Sequence, residues 1–195
     1  MKKILLMGLE DTGKTAIIEI LKHKKIENVK NILPTRGRRI EEIKFNNQVY
    51  YVWELAGPSK YRIRWIEEKD RIFTLTNEMI YFINIQNVET YEESINYLTQ
   101  LLNVFNLGFN RFIDTNFKLF ILFHKSDPNI VNLREFLDNS TFLTDKIKKL
   151  NIPYTYEIWK TSIYNFQENF SESFLINENI LNFGTLLARI FSSDF

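Results

Sequence analysis

The octapeptide Gly8–Thr15 constrains the fold of this chain more than any other stretch. Its sequence, GLEDTGKT, fits the pattern G-x-x-x-x-G-K-[ST] of a phosphate-binding loop. The apolar run Ile4–Met7 before it predicts a buried strand, and Ala16–Leu21 after it predicts a helix. The pattern requires this strand–loop–helix order, whereas a chance Gly/Lys turn does not. The sequence therefore predicts a nucleotide-binding protein.

The residue types of this loop suit the binding of phosphates. Gly8 and Gly13 allow the backbone to curl so that successive N–H groups point at an anion, and the following helix adds its positive end. Lys14 can reach the β- and γ-phosphates, and the Thr15 hydroxyl can ligate Mg²⁺. The residues predicted to contact the phosphates are Glu10, Asp11, Thr12, Gly13, Lys14, Thr15 and Ala16.

Length and composition exclude several other classes of protein. A chain of 195 residues suits one domain, predicted here over residues 1–195. The net charge of +1 gives no reason to expect a nucleic-acid partner. The sequence has no cysteine and only two histidines, which excludes disulfides, thiolate catalysis and metal sites built from those residues.

The sequence contains no signal for membrane insertion. Met1 and two lysines lead directly into the first strand, without a signal peptide, an amphipathic leader or a glycine for myristoylation. No apolar run approaches the ~20 residues that span a bilayer. We therefore expect a cytoplasmic location, with membrane recruitment only through a partner.

Hydrophobic patterns along the chain predict an α/β fold. Further strands are predicted at Ile40–Phe45, Gln48–Leu55, Met79–Ile85, Lys118–Phe123 and Tyr154–Trp159. Helices are predicted at Thr90–Leu107, between Leu133 and Leu150 as one helix or two, and from about Ile180 to Ile190. Three other segments are a tight hairpin at Asn46-Asn47, a surface connection at Asn110–Asn116, and Tyr164–Leu175, which shows no clear period. Alternating strands and helices predict a single P-loop domain with a mostly parallel six-stranded sheet, one antiparallel strand and helices on both faces.

Two later motifs resemble the guanine-reading elements of small GTPases, [N/T/H]-K-x-D and T-S-[A/I]. They are His124-Lys125-Ser126-Asp127 and Thr161-Ser162-Ile163, each following a predicted strand. A carboxylate at Asp127 can accept both N1–H and N2–H₂ of guanine, a pair that adenine lacks. The Lys125 stem can lie over the base, and the Ile163 N–H can reach O6. The predicted base-binding residues are His124, Lys125, Asp127, Thr161, Ser162 and Ile163.

The resemblance extends over nearly the whole chain. Features similar to the Arf branch of small GTPases are Gly8–Thr15, Pro34-Thr35-Arg36-Gly37 and the spacing Trp53…Arg62…Trp65. Features similar to the Rag/Gtr branch are His124–Asp127, Thr161–Tyr164 and Arg71-Ile72-Phe73. The chain is identified as an Arf/Rag-related small GTPase that is divergent in its switch II motif.

The resemblance implies roles for individual residues. Lys14, Thr35 and Gly57 would act on the β- and γ-phosphates, with Thr35 and the Gly57 N–H sensing the γ-phosphate from two sides. Thr15, Thr35 and Glu54 would form the Mg²⁺ site. Loss of the γ-phosphate would release both switch loops. The basic stretch Arg36–Arg39 is then a switch surface or, alternatively, a solvated turn.

Two residues depart from the family pattern. Glu54 stands where the family has Asp, which changes how the carboxylate meets Mg²⁺ or its water. Pro58 stands where members usually carry Gln, whose side chain orients the attacking water. Proline has no side-chain amide and no backbone N–H, so slow intrinsic GTP hydrolysis is expected.

Three functions are compatible with these residues. The first is a GTP/GDP-dependent switch with Mg²⁺, regulated by exchange or activating factors and partnered by roadblock- or longin-type proteins. The second is a non-cycling pseudo-GTPase, an interaction module that keeps nucleotide as a structural cofactor. The third, an ATP-using P-loop kinase, lacks visible lid arginines and an acceptor site.

Overall fold

A six-stranded sheet forms the centre of the protein. The computed structural model describes residues 2–23, 29, 32–45, 48–107 and 113–165. The strands are β1 (Lys2–Gly8), β2 (Arg38–Phe45), β3 (Gln48–Leu55), β4 (Thr76–Asn84), β5 (Ile113–His124) and β6 (Thr155–Thr161). The helices are α1 (Lys14–His23), α2 (Ser59–Glu67), α3 (Lys69–Phe73), α4 (Tyr91–Leu107) and α5 (Arg134–Lys148), with 3₁₀ turns at Val88–Thr90 and Ile163–Asn165.

The strands lie in the order β2-β3-β1-β4-β5-β6. Only β2 runs antiparallel to its neighbour, with Arg38 opposite Leu55 and Phe45 opposite Gln48. The other four pairs are parallel. The predicted fold class is therefore confirmed. The hairpin residues Asn46 and Asn47 lie outside the described residues.

Both faces of the sheet are apolar, as parallel strands require. On β1, Leu5 and Met7 pack into one core cluster together with residues of α2, α4 and α5. Ile4 and Leu6 point the other way, into a second cluster with residues of α1. This alternation explains why Ile4–Met7 is apolar at every position.

Some predicted elements differ from the structure. The surface connection predicted at Asn110–Asn116 is wrong from residue 113 onward, because Ile113 already pairs with Thr76 of β4. This segment is mostly polar, so no apolar pattern indicated the backbone pairing. The region from Leu133 to Leu150 contains one helix, α5, and neither α2 nor α3 was predicted.

The carboxyl-terminal segment leaves three predictions open. The final helix near residues 180–190 lies outside the described residues, as does most of Tyr164–Leu175. The single domain over residues 1–195 stays a prediction for the same reason. Within the described ranges, no helix combines the length and apolarity needed to cross a bilayer.

The topology places five strand ends along one edge of the sheet. Strands β1, β3, β4, β5 and β6 are mutually parallel, so their carboxyl ends meet there. They end at Gly8, Leu55, Asn84, His124 and Thr161. In open α/β sheets this edge is where ligands bind.

Candidate nucleotide-binding site

Lys14 folds back onto the phosphate loop that carries it. Its Nζ donates to the carbonyl oxygens of Gly8 (3.2 Å) and Leu9 (2.5 Å) and to the Thr12 hydroxyl (3.1 Å). The side chain is buried, and this burial lowers its pKa to about 8. The loop thus holds a buried ammonium at its centre, which a phosphate oxygen could contact in place of the loop carbonyls.

Thr15, Thr35 and Glu54 converge beside this loop. The hydroxyls of Thr15 and Thr35 both donate to Glu54 Oε1, the second at 2.9 Å, and lie 3.0 Å from each other. Glu54 is 1% exposed, and its Oε2 has no hydrogen-bond partner among the described residues. A buried carboxylate oxygen without a partner is unfavourable unless a cation approaches it.

This donor set fits a hard cation. Two hydroxyls and a carboxylate with one unused oxygen match the oxygen ligands that Mg²⁺ prefers. Within the described part of the chain, no group of three or more His, Cys, Asp or Glu side chains could hold a metal ion. A metal here would therefore depend on the hydroxyls and on the oxygens of a bound ligand.

Gly57 lies directly against the phosphate loop. A Cβ at this position would collide with the backbone of Leu9 and Glu10, so a larger residue requires the loop to move. The neighbouring Ala56 N–H donates to the Gly37 carbonyl at 2.9 Å. This bond ties the segment that carries Gly57 to the segment just after Thr35. The two predicted switch segments are therefore connected at the site.

Pro58 occupies the start of α2. Its carbonyl accepts hydrogen bonds from the backbone N–H groups of Tyr61 (2.9 Å) and Arg62 (3.2 Å), which form the first turn of the helix. Arg62 then pairs with Glu93 on α4, which attaches the start of α2 to that helix. The start of α2 is thus a residue with a fixed φ and with neither a backbone N–H nor a side-chain amide.

The two motifs that were predicted to read the base meet at Asp127. Its Oδ1 accepts a hydrogen bond from the Ser162 hydroxyl at 2.5 Å, and its Oδ2 accepts one from Gln86 Nε2 at 2.9 Å. Ser162 Oγ also accepts the backbone N–H of Tyr164 at 3.1 Å, within the turn that contains half-buried Ile163. The carboxylate is thus held on both sides by uncharged donors.

His124 contacts both Thr161 and the phosphate-binding loop. Its ring is buried, and Nδ1 lies 2.9 Å from the Thr161 hydroxyl. Burial, together with the nearby Lys125 charge, lowers its pKa to about 4, so the ring is neutral at pH 7. A Cβ at Gly13 would lie 2.5 Å from His124 Cδ2, and Gly13 has φ +87. His124 therefore packs under the phosphate loop, which only glycine at position 13 permits.

An ion pair joins the base end to the phosphate loop. Lys125 Nζ lies 3.0 Å from Asp11 Oδ2, and Asn84 Nδ2 donates to the Asp11 carbonyl at 3.4 Å. Lys125 and Asp11 have φ of +62 and +54, left-handed values that cost energy for residues other than glycine. Strained residues of this kind concentrate at binding sites.

All residues predicted to bind nucleotide or metal lie at this edge of the sheet or on its adjoining segments. Glu10 and Asp11 are exposed at the rim, and Ala16 is half-buried in the first turn of α1. Asn84 and Gln86 also lie at this edge, although no sequence motif predicted them. Both are polar residues at the end of the apolar run Met79–Ile85, so their place after a central strand was the available signal.

Fold and loop together define the class of protein. A mostly parallel sheet with a GxxxxGKT loop between its first strand and first helix is the P-loop nucleotide-binding architecture. Residues 3–177 match the family described as the Gtr1/RagA G protein conserved region. The chain belongs to this family. The predicted relationship to Arf/Rag small GTPases is confirmed, and the protein is a GTP-binding small GTPase.

Two solved structures share the fold at low sequence identity. The Arl6/BBS3 small GTPase from Trypanosoma brucei, solved with the nucleotide analogue GppNp, is 16% identical with a TM-score of 0.62. That match covers 83% of this chain and 86% of the other. The structure of the mammalian SRP receptor is 14% identical with a TM-score of 0.58, covering 83% and 91% of the two chains. The family indicates guanine-nucleotide binding, GTP hydrolysis in general terms, and regulatory protein partners.

Proposed function

We propose that this protein is a guanine-nucleotide switch that binds GTP with Mg²⁺, and GDP, and hydrolyses GTP slowly or only with a helper protein. One observation carries the proposal: the hydroxyls of Thr15 and Thr35 both donate a hydrogen bond to the same oxygen of Glu54. It links a segment outside the phosphate loop to the loop itself. A ligand that reorganises one group must therefore act on the other.

In this proposal the phosphate end works through five residues of the chain. Lys14 releases the loop carbonyls and donates to the β- and γ-phosphates, while Thr35 and the Gly57 N–H meet the γ-phosphate. Thr15, Thr35 and Glu54 would hold Mg²⁺, which when bound neutralises phosphate charge. The unpartnered Oε2 of Glu54 supports this assignment.

At the base end, Asp127 accepts N1–H and N2–H₂ of guanine, Lys125 covers the base, and Ile163 N–H donates to O6. Because Asp127 already accepts hydrogen bonds from Ser162 and Gln86, its carboxylate is oriented before the base arrives. These contacts predict that GDP binds more tightly than ADP. Tighter binding of ADP than of GDP in calorimetry would instead favour the ATP-using kinase.

Pro58 separates binding from turnover. It has neither the side-chain amide nor the backbone N–H with which a residue could orient the attacking water. The proposal therefore includes slow intrinsic hydrolysis and a need for an activating protein. A protein of roadblock or longin type is the proposed partner for membrane recruitment of an otherwise cytoplasmic protein.

Glu54 and Pro58 also favour a second candidate, a non-cycling pseudo-GTPase that serves as an interaction module. Affinity capture with the protein loaded with GDP, and separately with GppNp, distinguishes the two. The switch predicts partner sets that differ between the nucleotides. Identical sets would exclude the switch and favour the interaction module.

The most direct test of nucleotide binding is the nucleotide that accompanies the purified protein. Denaturation followed by ion-exchange chromatography should release GDP or GTP in near-equimolar amount. An adenine nucleotide, or an empty protein that also binds no added GDP, would contradict the proposal.

A further inference from the structure

We propose that Gln86 is a positioning residue for guanine recognition, which fixes the carboxylate of Asp127 and so strengthens the preference for guanine over hypoxanthine. This inference rests on the proposed role of Asp127 in reading the base. Gln86 follows the end of β4 and belongs to neither guanine-reading motif.

The hydrogen bonds of Gln86 determine the orientation of its amide. Nε2 donates to the Lys125 carbonyl at 2.7 Å and to Asp127 Oδ2 at 2.9 Å. One acceptor is a carbonyl oxygen and the other is a carboxylate oxygen, so the NH₂ end of the amide, and not its oxygen, faces them. The backbone is fixed as well, because Gln86 N–H donates to Asn84 Oδ1 at 3.1 Å.

These contacts leave the carboxylate free to accept a base in one orientation. An ionised carboxylate offers about four acceptor positions, two on each oxygen. Ser162 occupies one position on Oδ1 and Gln86 one on Oδ2. One position therefore remains on each oxygen, which is the arrangement that two parallel N–H donors of guanine require.

Gln86 also supports the loop that carries Asp127. The carbonyl it contacts belongs to Lys125, whose φ of +62 is unfavourable for a residue with a side chain. Nearby, the Ile85 N–H donates to the His124 carbonyl at 3.1 Å. The end of β4 thus holds residues 124–127 through a backbone contact and through the Gln86 amide.

Guanine and hypoxanthine respond differently to a loss of this support. Guanine offers two donors to the carboxylate, whereas hypoxanthine lacks the 2-amino group and offers one. Without Gln86 the carboxylate is held at one oxygen only, by Ser162, so it can still accept one donor but aligns poorly with two. Removing Gln86 should therefore weaken GDP binding more than IDP binding.

The test measures the affinities of the full chain for GDP, IDP and ADP by calorimetry, in the wild type and in three variants. Gln86→Ala removes the donor, Gln86→Glu replaces it with an acceptor of the same shape, and Gln100→Ala is a matched control on exposed α4 surface. Since a hydrogen bond to a charged group is lost, we expect Gln86→Ala to reduce the GDP/IDP affinity ratio about tenfold. Gln86→Glu should reduce it further because two carboxylates would face each other, and Gln100→Ala should leave it unchanged.

Several outcomes would overturn the inference. A GDP/IDP ratio that stays at the wild-type value in both Gln86 variants contradicts it, and so does an equal loss of GDP and IDP affinity, which means loop support alone. Asp127→Ala separates this failure from failure of the proposed function. If Asp127→Ala removes the preference for GDP while the Gln86 variants keep it, only the role of Gln86 is wrong. If the wild type itself prefers GDP neither to IDP nor to ADP, the base-reading role of Asp127 is wrong, and the inference falls with it.

Discussion

The base end and the phosphate end of the site satisfy their charged groups in different ways. At the base end, Asp127 accepts one hydrogen bond on each carboxylate oxygen. At the phosphate end, Glu54 accepts two hydroxyls on one oxygen and has no partner for the other among the described residues. Lys14 is turned onto carbonyls of its own loop. The carboxylate at the base end is therefore held in one orientation, whereas the charged groups at the phosphate end form hydrogen bonds within the protein.

This difference indicates which part of the site moves when nucleotide binds. In the proposed function the base end needs no rearrangement, so its binding free energy would go into affinity and selectivity. The phosphate end must exchange internal hydrogen bonds for contacts with the ligand, and these bonds include Thr35. A ligand can shift a conformation only through such differential contacts. The proposed switch would therefore couple binding to conformational change mainly at the phosphate end.

The largest expected effect comes from Lys14→Ala. The lost ammonium would take about two charged hydrogen bonds to the phosphates with it, or roughly 4 kcal/mol, which is about a thousandfold in the GDP dissociation constant. Calorimetry with GDP measures this loss, and Lys149→Ala, on the exposed surface, provides the control. A Lys14→Ala protein that binds GDP within tenfold of the wild type would show that the phosphate end contributes little.

Burial of His124 predicts that the free energy of unfolding depends on pH. Its pKa is about 4 in the folded protein against 6.5 ordinarily, so between these values only the unfolded chain binds the proton. Stability due to the neutral ring is therefore complete above pH 6.5 and is lost as the pH falls toward 4. The loss reaches about 2 kcal/mol near pH 5 and about 3 kcal/mol near pH 4.

Urea unfolding of the nucleotide-free protein at pH 7, 6 and 5 measures the His124 effect. His124→Asn retains a group that can accept the Thr161 hydroxyl but cannot be protonated in this range, so its free energy of unfolding should fall less with acid. His23→Asn, at an exposed histidine, is the matched control. Parallel curves for His124→Asn and the wild type would contradict the burial argument.

Glu54→Gln tests the phosphate end in the opposite direction. Gln retains an oxygen for the Thr15 and Thr35 hydroxyls but removes the charge of the unpartnered oxygen. The nucleotide-free protein should gain about 1 kcal/mol in free energy of unfolding because a buried charge is lost. Binding of GppNp in the presence of Mg²⁺ should weaken about thirtyfold as a charged ligand disappears, with little change in EDTA.

Stability and affinity are read in the same Glu54→Gln sample, by urea unfolding and by calorimetry. Gln48→Ala, on half-buried β3 away from the site, controls for effects of altering the same part of the sheet. Two results would show that Glu54 is not poised for a cation. The variant could lose stability, or it could bind GppNp in Mg²⁺ as tightly as the wild type does.

The sequence predicted the fold because the central strands β1, β4 and β5 contain continuous apolar runs. Gln48–Leu55 was predicted with the observed bounds, and Thr90–Leu107 differs from α4 by one residue. Where side chains carry no such signal, the prediction was wrong, as at Ile113–Asn116, which joins β5 through backbone pairing. Helices α2 and α3 were missed because charged residues interrupt their apolar faces.

The site was only partly accessible from the sequence. Motifs with fixed spacing predicted roles for Lys14 and Asp127, because local backbone geometry places neighbouring residues together. Contacts between distant segments follow no fixed spacing in the sequence. The hydrogen bond from Gln86 to Asp127, which are 41 residues apart, could therefore not be predicted from the sequence. Likewise, the sharing of one Glu54 oxygen by two threonines depends on how β3 lies beside β1.

The smallest expected effect, and the one that separates binding from turnover, is Pro58→Gln. The variant supplies an amide that can orient water, so we expect single-turnover GTP hydrolysis to rise about tenfold or more. Pro58→Ala is the matched control, because it also restores a backbone N–H and frees φ but adds no amide. GDP affinity should change little in either variant, since the Pro58 carbonyl contacts with Tyr61 and Arg62 are made by the backbone. An equal rise in both variants would show that rigidity at the start of α2, and not the missing amide, limits hydrolysis. No rise in Pro58→Gln would mean that the phosphate end lacks more than an amide, which favours the non-cycling interaction module.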